Sequence, residues 1–373
     1  MSHHKRRIAA VCAAGSLALT AALAVPASAA ILTYTQLATS AAAGTNTRAV
    51  TTADLNGDGN QDVVAVNLDG NSVTVLLGNG DGTFATGTGY PVGTRPYQAT
   101  VGDFNGDGHP DIATADFGGA TVSVLLGNGD GSFASAGTLA VGAAPRSLAT
   151  GDLNADGNTD LVVAEQETGL VRVLLGNGDG TFTTGTTAAV PTPHGVVVAD
   201  FNGDGSPDVA TASVGSGGVS VLLGDGTGGL ATAVGYAGAG RLYSIAAGDF
   251  NGDGTLDLAA VSNGSDTLDV LLGNGDGTFG AATAYPAPAL PVAVSAADLD
   301  GDGNTDILVS SLNGNSVTLF QGAAGGTVSQ LTELTATGAY DAAATDLNGD
   351  GTKDIAVANS SANRVDIFTA SAG

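Results

Sequence analysis

Beyond its first thirty residues, the chain sets its apolar residues in short runs. The first unit reads "AVTTA" at 49–53, "DVVAV" at 62–66, "SVTVLL" at 72–77 and "FATGTGYPV" at 84–92. The runs are rich in β-branched residues and end in Gly, Asn and Asp, which predicts strands. Several turns between them carry Asn-Gly or Asp-Gly, the strongest short-range hairpin signal. No later segment sustains a 3.6-residue apolar period, so no helix is expected. Runs such as "LVVAE" at 161–165 and "DILVS" at 306–310 are apolar on both sides. Alternation of that kind needs sheets covered on both faces.

One polar nonapeptide punctuates the pattern seven times: "DLNGDGNQD" at 54, "DFNGDGHPD" at 103, "DLNADGNTD" at 152, "DFNGDGSPD" at 200, "DFNGDGTLD" at 249, "DLDGDGNTD" at 298 and "DLNGDGTKD" at 346. The steps between copies are 49, 49, 48, 49, 49 and 48 residues. Four strands in each such unit predict an all-β fold, a seven-bladed β-propeller of four-stranded blades over residues 30–373. The last unit stops after "VDIFTASAG" without an outer strand, and "ILTYTQLATS" from residue 31 can supply it. A ring closed by its own N-terminal strand leaves no open sheet edge. The alternative, a calcium-binding parallel β-helix, repeats every nine residues, whereas nearly forty residues of strand pattern separate these loops.

Residues 1–29 run from a basic patch through an apolar stretch to Ala27-Ser28-Ala29, the pattern of a cleaved secretory signal peptide. Its removal takes away Cys12, the only cysteine, so disulfides and thiolate metal sites are excluded in the exported chain. It leaves 7 Lys and Arg against 36 Asp and Glu, a formal charge of −29. Nucleic acid and anionic membranes are therefore poor partners, and no membrane insertion is expected after cleavage. Of the acids, 22 sit in the seven nonapeptides, so the charge belongs to the repeat.

Side-chain oxygens at loop positions 1, 3, 5 and 9, with a carbonyl at position 7, suit a hard cation that accepts six to eight oxygens, as calcium does. Zinc or copper would want nitrogen or sulfur, and only His109 and His194 remain after cleavage. Glycine holds position 6 in all seven copies, where the backbone must turn sharply. Position 4 is glycine six times and Ala155 once, which reads as a less demanding place. Position 12 is Ala65, Thr114, Val163, Thr211, Ala260, Val309 and Val357, and the flanks are strands, so the loop is not an EF-hand.

The stretch "GDFNGDGTLDLAAVS" at 248–262 resembles the FG-GAP or VCBS repeats of integrin-α-like propellers, and the resemblance covers essentially the whole exported chain. In that family the loop joins the first two strands of a blade and binds calcium. The resemblance implies as ligands, with position 7 acting through its carbonyl, Asp54, Asn56, Asp58, Asn60 and Asp62 in the first unit; Asp103, Asn105, Asp107, His109 and Asp111 in the second; and Asp152, Asn154, Asp156, Asn158 and Asp160 in the third. It continues with Asp200, Asn202, Asp204, Ser206 and Asp208; Asp249, Asn251, Asp253, Thr255 and Asp257; Asp298, Asp300, Asp302, Asn304 and Asp306; and Asp346, Asn348, Asp350, Thr352 and Asp354. Up to seven Ca2+ would bring the formal charge from −29 to −15. The Gly-Ala-Pro that follows the loop in eukaryotic members is replaced here by "AVNL" or "AVSN". Integrin-type partners therefore do not carry over.

In up-and-down blades the nonapeptides and the "GNGDGT" hairpins share one face of the disc. Asp81, Asp130, Asp179 and Asp276 are read there as hairpin-turn residues. Six residues before each loop stand Arg48, Tyr97, Arg146, His194, Tyr243, Val292 and Tyr340, expected at the axis on the opposite face with Arg95 and Arg241 close by. That ring can bind a sugar or an acidic group, or can simply cap the channel. Glu165 and Glu167 are read as solvated turn residues. The resulting expectation is a secreted or cell-surface monomer, not an enzyme, that recognises an extracellular glycan or protein in the manner of a lectin or adhesin. The alternatives are an extracellular enzyme acting on polysaccharide or lipid and a purely structural surface protein.

Overall fold

The structure, a computed structural model, describes residues 32–37, 41–215 and 217–372; the signal peptide expected at residues 1–29 lies outside them. Seven antiparallel sheets form a ring of blades. Blade 1 is built from Thr47–Ala53, Asp62–Asn67, Ser72–Leu76 and Thr88–Pro91, and each later unit repeats that order outward from the axis. Among the described residues no helix is long and apolar enough to cross a membrane.

The both-sided apolar runs are the second strands. Val63 and Ala65 turn toward blade 7 and join a cluster with Ile367 and Val365, while Val64 and Val66 turn toward blade 2 and pack on Ile112 and Leu125. All four of these residues of the second strand are fully buried. Seven such clusters, one at each junction between neighbouring blades, form the core. Period-2 alternation thus feeds two interfaces from one strand.

The ring closes as the repeat count requires. Leu32–Gln36 is the outer strand of blade 7, with Tyr34 opposite Ala370 and Gln36 opposite Phe368. Ala41–Ala42 extends the pairing, opposite Val365 and Arg364. The outer strands differ from the simple reading in blades 1, 4 and 5. There the segment beginning at Phe84, Leu230 or Phe279 touches its neighbour through one isolated bridge, and the paired strand starts only at Thr88, Val234 or Thr283. In blades 2 and 3 it is continuous over Phe133–Ala140 and Phe182–Ala189.

Deleting residues 30–43 should expose the edge of Arg364–Ala372 and the junction between blades 7 and 1. The expected result is aggregation during size-exclusion chromatography; a monomeric truncation with an unchanged melting curve would show that these residues do not close the ring.

Candidate cation loops and axial mouth

Position 9 of each loop opens the second strand and is fully buried in all seven blades. In blade 1, Asp62 Oδ2 accepts the Leu55 amide at 2.8 Å and Oδ1 accepts the Gly78 amide at 2.7 Å. The same pair of bonds recurs from Asp111, Asp160, Asp208, Asp257, Asp306 and Asp354. Each carboxylate therefore ties the start of the loop to the end of the third strand.

Position 2, always Leu or Phe, is the residue so held. Its side chain enters the cluster shared with the next blade: Leu55 toward blade 2, Phe104 toward blade 3, Phe250 toward blade 6. In most blades its carbonyl accepts an amide from the next blade's outer hairpin, as in Gly180 to Phe104 at 2.9 Å, Gly228 to Leu153 at 2.9 Å and Gly82 to Leu347 at 3.0 Å. Sequence reading gave this residue no role, although its invariant apolar character inside an acidic loop was the available signal.

Position 1 organises the loop interior. Asp54 Oδ1 accepts the Gly57 amide at 2.8 Å and Oδ2 the Gly59 amide at 2.9 Å, an arrangement repeated by Asp103 and Asp200. Position 4 is as left-handed as position 6: Gly57 has φ 72° and Gly59 φ 87°. The reading of position 4 as less demanding is corrected, since Ala155 is held there at φ 56° against its Cβ. The position-7 side chains lie over the outer hairpin, where a Cβ on Gly80 would stand 2.4 Å from Asn60 Oδ1 and one on Gly129 would meet the His109 ring at 2.5 Å. His109 is thereby a packing residue as far as its ring is concerned. In the hairpins, Asp81, Asp130, Asp179 and Asp276 accept from the Thr or Ser two residues on, as expected of turn residues, and Asp225 does the same.

The donor set fits a hard cation best in the sixth loop, where Asp298, Asp300 and Asp306 bring one carboxylate oxygen each within 4.8 Å of one another. Gln321 Nε2 donates to Asp300 at 2.7 Å, and the buried Tyr34 hydroxyl has no hydrogen-bond partner among the described residues. Tyr34 ionisation is suppressed by burial first and then by Asp306, Asp354 and Asp300. In the other six loops an asparagine replaces the second carboxylate; Asn56, for example, accepts the Asp58 amide at 3.0 Å. Calcium, when bound, would supply positive charge among these oxygens.

On the other face, the seven residues at position −6 line one narrow cavity of about 50 Å3, and Arg48, Arg95, Tyr97, Phe117 and Arg146 help line an adjoining space of about 380 Å3. Every first strand carries a bulge at this residue: register slips between Thr47 and Ala49 around Arg48, between Pro96 and Gln98 around Tyr97, and equivalently in the other five blades. The bulge turns the side chain toward the axis. Two residues earlier, Asn46, Arg95, Ala144, Thr192 and Leu290 stand at φ between 43° and 58°. Left-handed non-glycine residues cost of order 1 kcal/mol each, so the rim stores strain.

The mouth residues interlock. The Tyr97 and Tyr340 hydroxyls are 2.5 Å apart, and the Tyr97 ring meets His194 edge-on at 5.5 Å. His194 Nδ1 donates to the Tyr243 carbonyl at 2.6 Å; burial, then the Arg146 charge, pushes its pKa down to about 3, leaving it neutral. Arg48 lies 4.2 Å over Tyr340, and Arg146 lies 3.8 Å over Phe117 and 4.7 Å over Tyr97. Arg95 faces Phe117 at 5.6 Å and Arg241 faces Tyr243 at 5.9 Å. Beneath this ring Asp341 spans to the first blade, its Oδ2 accepting the Val50 amide at 3.1 Å. The Glu165 reading is corrected: it is fully buried, accepts the Gly142 amide at 2.7 Å and pairs with Arg172, because the end of the second strand needs an acceptor there. Glu167 is exposed, as expected.

The FG-GAP-like repeat profile matches residues 54–114, 103–163, 152–211, 200–260 and 256–309. The chain belongs to the FG-GAP-like repeat family. A search of curated proteins gives no match. Among solved structures, this FG-GAP propeller is similar to BBS1N in complex with ARL6DN, with TM-score 0.65, 13% identity, and 92% of this chain and 98% of that chain covered. It is similar to an Agrocybe aegerita lectin described as recognising non-reducing terminal N-acetylglucosamine, with TM-score 0.54, 23% identity and coverage of 85% and 86%. A Bacteroides fragilis protein described as a candidate 6-phosphogluconolactonase gives TM-score 0.63, 16% identity and coverage of 79% and 86%. At these identities the likeness shows the fold alone.

Two sets of carboxylates in the FG-GAP propeller are shifted in opposite directions. Burial, followed by neighbouring carboxylates, raises the position-9 aspartates, to about 6 for Asp257 and Asp306, and burial alone raises Asp341 to about 6. The exposed position-5 aspartates, such as Asp58 and Asp107, are lowered by backbone amides and by the position-3 amide. A folded pKa raised from 3.8 makes the folded state bind more protons between about pH 4 and 6, so stability falls as pH rises through that window. In EDTA the melting temperature should therefore rise from pH 7 to pH 5, then fall below about pH 4 as the lowered set is protonated. Millimolar calcium should abolish the rise between pH 7 and 5, because protons then compete with the cation. A steady fall from pH 7 in EDTA would contradict this division.

Proposed function

We propose that the protein is a secreted, calcium-stabilised propeller that acts as an extracellular recognition or adhesion module, taking a glycan or protein ligand at its axial mouth. The observation that carries the reading is the mouth itself. Seven bulges aim seven residues, differing from blade to blade, into one cavity on the face opposite the acidic loops. A scaffold that repeats everywhere else and varies here fits a binding site on a rigid support. The strained rim supports the same placement.

Calcium fits the all-oxygen loops and would stabilise an exported chain without disulfides by roughly 2.7 kcal/mol per site at a hundredfold excess over Kd. The strongly acidic surface disfavours nucleic acid and anionic membranes as partners. A non-catalytic role is supported by His194, which is buried, neutral and committed to a backbone carbonyl. The protein is proposed to act as a monomer.

A glycan array probed in calcium and again in EDTA tests this reading. Binding to a defined set of glycans in calcium, lost when EDTA unfolds the ring, is expected. Silence across the array together with hydrolysis of a polysaccharide would overturn it.

A further inference from the structure

We infer that the ligand group taken at the mouth is a carboxylate on a sugar ring, so that the site selects uronic-acid saccharides over neutral ones. This rests on the proposed glycan recognition at the mouth. The aromatic faces that would stack on a neutral sugar are already covered: Arg48 lies over Tyr340, and Arg146 over Tyr97 and Phe117. Arg48, Arg95 and Arg146 line the wider space of the mouth together with these rings.

The two half-buried arginines are positioned by neutral groups. Arg48 Nε donates to Asn46 Oδ1 at 3.1 Å, and Arg146 Nε donates to Gln166 Oε1 at 2.6 Å. Among the described residues, neither has a carboxylate partner and neither terminal NH2 group makes a hydrogen bond within the chain. Stacking fixes each guanidinium plane and the amide fixes its rotation, leaving the terminal donors for a planar, two-oxygen acceptor. Arg95 and Arg241, both exposed, add charge at the rim, Arg95 only 4.0 Å from Asp69. The chain has 36 acids and 10 Lys and Arg, yet among the described residues Arg48, Arg146 and Arg241 at one mouth are left without an acid. The wider space of the mouth, about 380 Å3 and lined by Arg48, Tyr97, Phe117, Arg146 and Tyr340, admits one or two sugar rings.

The test is calorimetric titration of calcium-loaded protein with tri-galacturonate, neutral galactotriose, tri-aspartate and inorganic phosphate. Tri-galacturonate should bind, weaken in 0.5 M salt, and resist competition by galactotriose. Arg48→Gln and Arg146→Gln should each weaken it by roughly tenfold or more, with Arg146→Lys recovering only part, because a point charge lacks the fork. Calcium content and melting temperature measured for each variant separate loss of binding from loss of fold or of cation-bridged binding at the loops, and Arg241→Gln, at an exposed side chain, should weaken binding without affecting either. Equal binding of galactotriose, or undiminished binding by Arg146→Gln, overturns the uronate inference and leaves glycan recognition standing. Tri-aspartate or phosphate binding as tightly as tri-galacturonate overturns the choice of a sugar. No binding of either saccharide here, together with a silent glycan array, removes glycan recognition at the mouth as well as the uronate inference.

Discussion

The structure depends on one residue held from three sides. The apolar residue at loop position 2 is pinned through its amide by the buried aspartate at position 9, through its carbonyl by the next blade's hairpin in most blades, and through its side chain by the cluster between the two blades. Strand, loop, hairpin and neighbouring blade therefore meet at a single point. A charge-assisted hydrogen bond of this kind contributes about 1.5–3 kcal/mol, and removing the buried acceptor leaves two amides unpaired. The acidic loop is thus a joint of the ring as well as a candidate cation site.

That double duty explains why so many carboxylates are crowded together in a folded ring. Position 9 is engaged by two amides and position 1 by the loop's own backbone, so the loop has an ordered shape before charge is considered. Burial first, and then the neighbouring carboxylates, raise the proton affinity of the position-9 members, while backbone amides lower that of the exposed position-5 aspartates. A divalent cation bound as proposed would act on the same groups as protons do. The two faces then separate by chemistry, with acidic joints on one and arginine over aromatic rings on the other.

Much of this was legible in the sequence because each feature recurs seven times. Seven nonapeptides at near-constant spacing gave the blade count, and the missing outer strand after "VDIFTASAG" located the closing strand at Leu32–Gln36. The axial residues were placed by register alone. Sequence periodicity could not show the bulge that turns Arg48 or Tyr97 to the axis, because a bulge is a slip between two strands. It also missed the left-handed backbone at Ala155, a position that composition made look permissive. Glu165 looked solvated because its partners, Gly142 and Arg172, lie on other strands and turns.

The proposed function requires that loops joined through buried aspartates also take up calcium and hold the ring by it. Calorimetric titration of calcium into EDTA-treated protein, followed by thermal melting of the same samples, tests it most directly. Uptake of several ions per chain, with a melting temperature that climbs as sites fill, is the predicted result. Absence of any heat of binding, with an unshifted melt at millimolar calcium, would contradict it.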